Sequence, residues 1–303
     1  MPLSIREAEG QRRWSGFVEP EAGVALPCTV IRGMEPGKRL LVTAGVHGAE
    51  YSSIEAARRL TRHSWDGLRG ELHILPVVSI EAFWKHLAFM SPLDGKNLNR
   101  VFPGDAKGSA SERRAAWLTQ AMTGMDGYID LHCGDMTETL IPFAVFPDDP
   151  RATEMALASG LPYAIKSGAK GHSYAAALSV GVPGLILESG GNGLWTEESV
   201  GLLVAGVERI MRRLGILPAA AGAPEPPAPT LCRMATTAAP AAGYWHPAVA
   251  LGMPVEIGTR LGTLYELTGA GERAVLAETA GFVLYHSTSL AISAGEALVG
   301  VAI

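Results

Sequence analysis

Two histidines and two glutamates stand where this chain could hold a metal ion and move a proton. His47 and Glu50 form a His-x-x-Glu pair in the run Gly45-Val46-His47-Gly48-Ala49-Glu50. An imidazole and a carboxylate three residues apart on a tight strand-to-helix loop can reach one cation. Catalytic zinc commonly combines such a pair with a third ligand from far along the chain and an open position for water. Spacing alone is weak, because a chain with 8 His and 30 Asp+Glu supplies about one such match by chance. His63 and Asp66 are a match of that kind, without the preceding strand or the glycines. His132 closes the apolar stretch Tyr128-Ile129-Asp130-Leu131-His132 and is the candidate third ligand. A period of two puts Asp130 on the same side, as an outer partner of the imidazole or part of the pocket wall.

Glu188 ends the run Ile186-Leu187-Glu188 and is followed by Ser189-Gly190-Gly191, which leaves space in front of it. A carboxylate at the end of an apolar strand needs a cationic partner or a chemical role. The chemical role is general base, taking a proton from an attacking water and returning it to a leaving nitrogen. The structural alternative is a cap for the helix that begins near Trp195. Between these groups lies a polar loop, Asn97-Leu98-Asn99-Arg100-Val101-Phe102-Pro103-Gly104. The fork of Arg100 can hold a carboxylate in two-point contact and the amide of Asn99 can add a third hydrogen bond, a substrate anchor whose alternative is a solvated surface loop.

For these residues to meet, strand ends must gather. From Leu40 to about Leu214, apolar strand-like runs alternate with helical patterns: strands are expected at 39–46, 72–78, 127–132, 141–146, 163–166 and 184–188, and helices at 52–62, 110–122, 152–160, 173–180 and 197–214. That alternation indicates an α/β fold, a mixed, mostly parallel sheet flanked by helices, in which ligands collect at the carboxyl ends of strands. His47, His132 and Glu188 all fall at or just beyond such ends. Residues 216–229 are a proline- and alanine-rich stretch that can neither continue a helix nor join a central strand. The expected organisation is a catalytic domain at 1–215, a linker at 216–233 and an all-β domain at 234–303. Within the last, the stretch from Ala239 to Gly258 is echoed from Ala277 to Gly295. A duplicated unit of short strands resembles the biotinyl/lipoyl-type barrels. The turn from Leu267 to Arg273 lacks the lysine that such carriers modify.

Composition narrows the partners. A hydrophobic fraction of 48% with 18% charge suits a folded globular chain, and a net charge of -5 offers no basic excess for nucleic acid. Met1-Pro2-Leu3-Ser4-Ile5-Arg6-Glu7 lacks the apolar core of a signal peptide, and no apolar run approaches the roughly 18 residues that cross a bilayer, so a cytoplasmic protein without membrane contact is expected. A homo-oligomer is compatible with the chain. Cys28, Cys133 and Cys232 are odd in number and form no Cys-x-x-Cys, which argues against disulfides or a cysteine zinc site. Cys133, beside His132, is expected to be buried next to the metal site.

Gly45-Val46-His47-Gly48-Ala49-Glu50, the Asn97–Gly104 loop, Asp130-Leu131-His132 and Leu187-Glu188 occur in the order and rough spacing of the succinylglutamate desuccinylase/aspartoacylase family. The chain resembles that family, a branch of the zinc carboxypeptidase-like metallohydrolases, over both its catalytic and its β-rich part. The resemblance implies one zinc ion held by His47, Glu50 and His132, Glu188 as general base, and Asn99 with Arg100 gripping a substrate carboxylate. Aspartoacylase-like members carry a further arginine shortly before the Asn-Arg pair, where it helps polarise the scissile carbonyl; Phe89-Met90-Ser91-Pro92-Leu93 has none. Nor does Ala175-Ala176-Ala177-Leu178 supply the arginine that aspartoacylase places before its catalytic glutamate. Lys96 is the nearby cation, with a solvated surface role as its alternative. The expectation is a zinc amidohydrolase deacylating a small N-acyl amino acid, or a related carboxylate-bearing amide, other than the family's dicarboxylic substrates. Two alternatives stand beside it: a zinc carboxypeptidase acting on short peptides, and a noncatalytic metal-dependent binding protein.

Overall fold

The computed structural model describes residues 12–21, 23–219 and 226–303. The N-terminal stretch read for a targeting signal and residues 220–225 of the proline-rich stretch lie outside the described residues. No helix among the described residues is long and apolar enough to cross a membrane.

Nine strands form one mixed sheet in the order β1-β2-β4-β3-β5-β9-β7-β8-β10. They are β1 (Arg13–Glu21), β2 (Val24–Arg32), β3 (Glu35–Ala44), β4 (Arg69–Leu75), β5 (Gly127–His132), β7 (Phe143–Phe146), β8 (Tyr163–Lys166), β9 (Gly184–Glu188) and β10 (Thr230–Cys232); a short strand β6 (Glu138–Leu140) lies outside this sheet. The inner strands β4, β3, β5 and β9 run parallel, and β9 meets β7 antiparallel. Every residue of β5 is buried, as a strand covered on both faces requires. One face carries α1 (Tyr51–Arg62), α4 (Pro150–Ala158) and α6 (Glu197–Arg213), packed with Leu60, Met155 and Val207 in one core cluster. The other carries α3 (Ala110–Met122) and α5 (Ser173–Ser179), with Leu118 and Ala177 in a second, while α2 (Ile80–Trp84) is a short turn after β4.

Two differences from the periodicity have local causes. The run expected as one strand from Ile141 to Phe146 begins only at Phe143, because Pro142 has no N–H to donate to a ladder. Ahead of it, β6 turns away from the large sheet. The hairpin of β1 and β2 lies before the first element read from the sequence. Every second residue of β1 is only half-covered, so its apolar alternation is interrupted by Gly16 and Pro20 rather than sustained.

Residues 234–303 hold no helix. Strands β11 (Met234–Ala238), β13 (Pro254–Val255), β16 (Gly281–Ser287) and β18 (Ala297–Ala302) form one antiparallel sheet, and β12 (Gly243–Pro247), β14 (Arg260–Tyr265), β15 (Glu272–Leu276) and β17 (Ala291–Ile292) a second. Trp245, Leu261, Val283 and Leu298 belong to one core cluster of this unit. The echoed halves exchange partners: β13 of the first pairs with β16 of the second, and β17 of the second pairs with β12 of the first. Two links join this unit to the large sheet. Thr230–Cys232, within the stretch read as a linker, adds β10 in parallel to β8, and β6 pairs antiparallel with β16, setting Glu138 opposite Ser287 and Leu140 opposite Tyr285.

Candidate active site

Parallel pairing in register brings the expected strand ends together. Ala44 stands opposite Leu131, and His132 opposite Glu188. Beyond Ala44 the chain turns at Gly45, whose φ of +64° is left-handed, and a Cβ there would press on Ile54 and Val77. At Gly48 a Cβ would sit 2.2 Å from the Ala82 carbonyl carbon, so only glycine lets the loop pass the backbone of α2. The loop delivers His47 to the site and ends on Glu50, the N-cap residue of α1.

His47, Glu50 and His132 are all buried, and each offers a ligand atom within 4.8 Å of the others. Nδ1 of His47 lies 2.6 Å from Glu50 Oε1, and Nδ1 of His132 lies 3.0 Å from Glu50 Oε2. The opposite ring nitrogens are occupied: His47 Nε2 lies 3.0 Å from Asn97 Oδ1 and His132 Nε2 lies 3.0 Å from Asp130 Oδ2. Asn97 Oδ1 and Asp130 Oδ2 can each accept an Nε2–H, which would leave both Nδ1 atoms to a cation shared with Glu50. Asp130 is anchored in turn by the hydroxyls of Thr43 and Ser173. Burial pushes the Glu50 carboxyl up, but His132 and His47 outweigh it and hold the group at about 2. Two imidazole lone pairs and an ionised carboxylate, each ring braced from behind, are a donor set that fits zinc. Cys133 is buried beside it, its N–H 3.3 Å from Glu50 Oε2, and burial keeps the thiol protonated.

The three groups line a cavity of about 550 Å³ that also takes in Asn99, Arg100, Glu188 and the new members Phe89, Glu138 and His172. Glu188 has its pKa raised to about 8, by burial above all and by the charges of Glu50, Glu138 and Asp130, against the pull of His132. It does not cap the following helix, whose N-cap is Thr196. Asn99 is buried, with Oδ1 accepting from the Ser173 N–H at 2.9 Å. Arg100 Nη1 donates to the Asn99 carbonyl at 2.8 Å and to His172 Nε2 at 3.0 Å. His172 Nδ1 donates to the Lys170 carbonyl at 3.0 Å, and Gly171, at φ +82°, admits the Arg100 backbone where a Cβ would lie 2.5 Å from its carbonyl oxygen. Lys96 is held by Glu112 at 3.0 Å and is absent from the cavity lining. The lining cations are Arg100, Lys166 and Arg233. Of Tyr244, Tyr265, Tyr285 and His286 in the β-rich tail, Tyr285 alone joins the lining. His63 lies away from the site, half-exposed, 3.5 Å from Glu208.

The model of the succinylglutamate desuccinylase/aspartoacylase catalytic domain matches residues 36–214, more than half of the chain. The chain belongs to this family. A relative from Halomonas elongata described as an N-alpha-acetyl-L-2,4-diaminobutyric acid deacetylase is 33% identical over 265 residues, covering 82% of this chain and 76% of the relative. Among solved structures, the product-bound ectoine utilization protein EutE of Ruegeria pomeroyi superposes with a TM-score of 0.84 at 25% identity, covering 96% of this chain and 95% of that one. A succinylglutamate desuccinylase/aspartoacylase from Rhodobacter sphaeroides has the same fold, with a TM-score of 0.83 at 24% identity and the same coverage. The desuccinylase/aspartoacylase fold thus extends over the β-rich unit as well as the matched catalytic residues. Phe89, Glu138 and His172 escaped the sequence reading because each sits in irregular chain or a three-residue strand, where no period marks a face. Asn97 was visible only as one more polar loop residue until His47 was seen to lean on it.

Proposed function

We propose that this family member is a cytoplasmic, zinc-dependent amidohydrolase that removes the acyl group from a small N-acylated amino acid or related carboxylate-bearing amide. The observation that carries the reading is the pair of imidazoles braced at Nε2 and aimed at Glu50 by Nδ1, beside a separate carboxyl, Glu188, in the same cavity. His47, Glu50 and His132 would hold a single zinc ion, which when bound polarises the amide carbonyl and lowers the pKa of water. Arg100, with Asn99 beside it, receives the substrate carboxylate and fixes the amide in reach of the base. Ionised Glu188 accepts a proton from the attacking water as the C–O bond forms. It returns that proton to the nitrogen as the C–N bond breaks, leaving a free acid and a free amine. Burial raises the Glu188 carboxyl toward neutral pH, the range in which one group can both accept a proton and return it.

The Halomonas relative supports acetyl as the acyl group. Its named substrate combines the carboxylate and amide that this cavity is arranged to meet. A peptidase reading is disfavoured by the walls that Arg233, Met234, Thr236, Tyr285 and Ala297 add to the cavity, which leave room for a small molecule rather than a chain. The division at 215 and 234, and a biotinyl/lipoyl-type barrel for the last unit, belong to the same proposal; the exchanged strand partners of the two halves support it.

Glu188→Gln keeps the shape of the side chain and removes the proton acceptor. The variant should bind as much zinc as the parent, measured by atomic emission, and lose about 10²-fold or more in kcat on an N-acetyl amino acid. Undiminished kcat would remove Glu188 from the reaction.

A further inference from the structure

Arg114 is a buried arginine on α3 that the deacylase reading does not use. Its side chain is 5% exposed, and it is absent from the cavity lining. Nη1 lies 3.0 Å from Glu81 Oε2 and Nη2 lies 2.9 Å from Glu81 Oε1, a two-point fork, and Nη1 also donates to the Val78 carbonyl at 2.8 Å. Glu21 adds a longer contact at 3.4 Å. Burial pushes the Glu81 carboxyl up, but Arg114 outweighs it and holds the group ionised, below its ordinary range. A buried ion pair adds little net stability over apolar side chains of the same size, and the Nε of Arg114 is buried with no partner among the described residues. What the guanidinium supplies is direction. Its planar fork fixes a carbonyl and a carboxylate relative to the helix that carries it. That helix is itself firm, closed at its start by the Ser109–Glu112 capping box and packed through Ala115, Leu118 and Met122 into the core.

The two residues that Arg114 holds flank Ser79, which meets the loop carrying His47. Val78 N–H donates to the Ala44 carbonyl at 3.0 Å, Ser79 N–H to the Gly45 carbonyl at 2.9 Å, and the Ser79 hydroxyl to the Val46 carbonyl at 2.7 Å. Three successive carbonyls leading to His47 thus rest on two residues. Past His47, Gly48 is pressed against the Ala82 backbone, one position after Glu81. On both sides of His47 the chain therefore leans on the 78–82 segment, and Arg114 ties that segment to α3.

We propose that Arg114 is a positioning residue for His47, setting through Val78, Ser79 and Glu81 where the imidazole stands relative to Glu50 and His132. The inference rests on the reading of His47 as a zinc ligand. Asn97 orients the ring, but the backbone beneath it must also be held, and groups that brace a ligand from outside commonly carry about 10- to 100-fold of metal affinity.

The test titrates zinc into the metal-free protein in competition with a chelator of known affinity, and follows thermal melting in parallel. Arg114→Met keeps the length of the side chain and removes the fork; the folded variant should bind zinc about tenfold or more weakly than the parent. Arg114→Lys, which keeps the charge without the fork, should fall between the two. Arg114→Met combined with Glu81→Met also removes the carboxylate that the single change leaves buried and unpaired. The double variant should melt closer to the parent while the weaker zinc binding persists, because the Val78 carbonyl still lacks its donor. Arg113→Met, one position away on α3, gives up a 2.8 Å ion pair to Glu21 and should bind zinc as the parent does. An Arg114 that served stability alone would lower the melting temperature without moving the zinc Kd of the folded chain. Zinc binding at the parent's affinity in the folded double variant or in Arg114→Lys overturns the proposal. His47→Ala separates that outcome from a failure of the zinc reading. Loss of zinc in His47→Ala with full affinity in the double variant counts against Arg114 alone, whereas full affinity in His47→Ala removes the ligand on which both rest.

Discussion

His172 shows how a residue that touches no expected ligand can still set the site. Burial, and then the neighbouring Arg100 charge, lower its pKa to about 4, so at neutral pH the ring is uncharged. Its Nδ1–H is committed to the Lys170 carbonyl, which leaves Nε2 as an acceptor for Arg100. Removing that acceptor frees the guanidinium to swing. His172→Phe should raise KM for an N-acetyl amino acid by about tenfold, the worth of one charged hydrogen bond, with kcat within a few-fold of the parent. His172→Gln, whose amide oxygen can also accept, should recover part of the loss. A fall in kcat with KM unchanged would place His172 in the chemistry instead. At this scale the sequence revealed the residues that chemistry demands at strand ends, His47, His132 and Glu188, because an ionisable group closing an apolar run is conspicuous. Asn97, which braces His47, and His172, which braces Arg100, come from loops whose partners lie 50 and 72 positions away along the chain.

At the scale of elements, α1 matters most, since Glu50 is its N-cap and any shift of the helix moves a candidate ligand. The helix is tied to α6 by charge: Arg59 meets Glu197 at 2.6 Å and Glu55 at 2.8 Å, and Glu55 also holds Arg58 at 2.6 Å. Arg58 above all, then Arg59, hold the Glu55 carboxyl at about 2 against its burial. A carboxyl whose folded pKa lies below its unfolded value of about 4.3 stabilises the fold at every pH above that value and loses the contribution as pH falls toward 2. Glu55→Gln should therefore melt a degree or two below the parent at pH 7, about the effect of a partly exposed ion pair, and the gap should close between pH 4.5 and 2. A gap that stays constant over that range would show that packing, not charge, carries the effect. Element boundaries followed the sequence where propensity and burial agreed: 110–122, 127–132, 163–166 and 184–188 form as expected. Propensity gave no warning that the strand of the expected 141–146 run would wait until Phe143 and that β6, ahead of it, would turn to pair with β16, more than 140 positions downstream.

Across the whole molecule, the β-rich unit is a wall of the site rather than an appendage. Phe143 and Ile165 of the large sheet share a core with Leu284 and Ala302, and Tyr285 and Arg233 face the cavity. A chain ending at residue 233 would expose that apolar seam and leave β6 without its partner. It should elute as aggregate on size exclusion, and any monomer recovered should turn over no N-acetyl amino acid. An active monomeric truncation would show that the wall is dispensable. The sequence by itself determined the α/β class, the strand ends where the chemistry gathers, the donor types suited to zinc and the family, because these depend on local period and on side chains whose chemistry is costly to misplace. Only the tertiary structure decided which nitrogen each histidine turns to Glu50, that Lys96 is spent on Glu112, and that Glu138 faces the cavity. Those facts depend on contacts between segments far apart in the chain, and no local pattern in a single sequence records which distant surface a loop will meet.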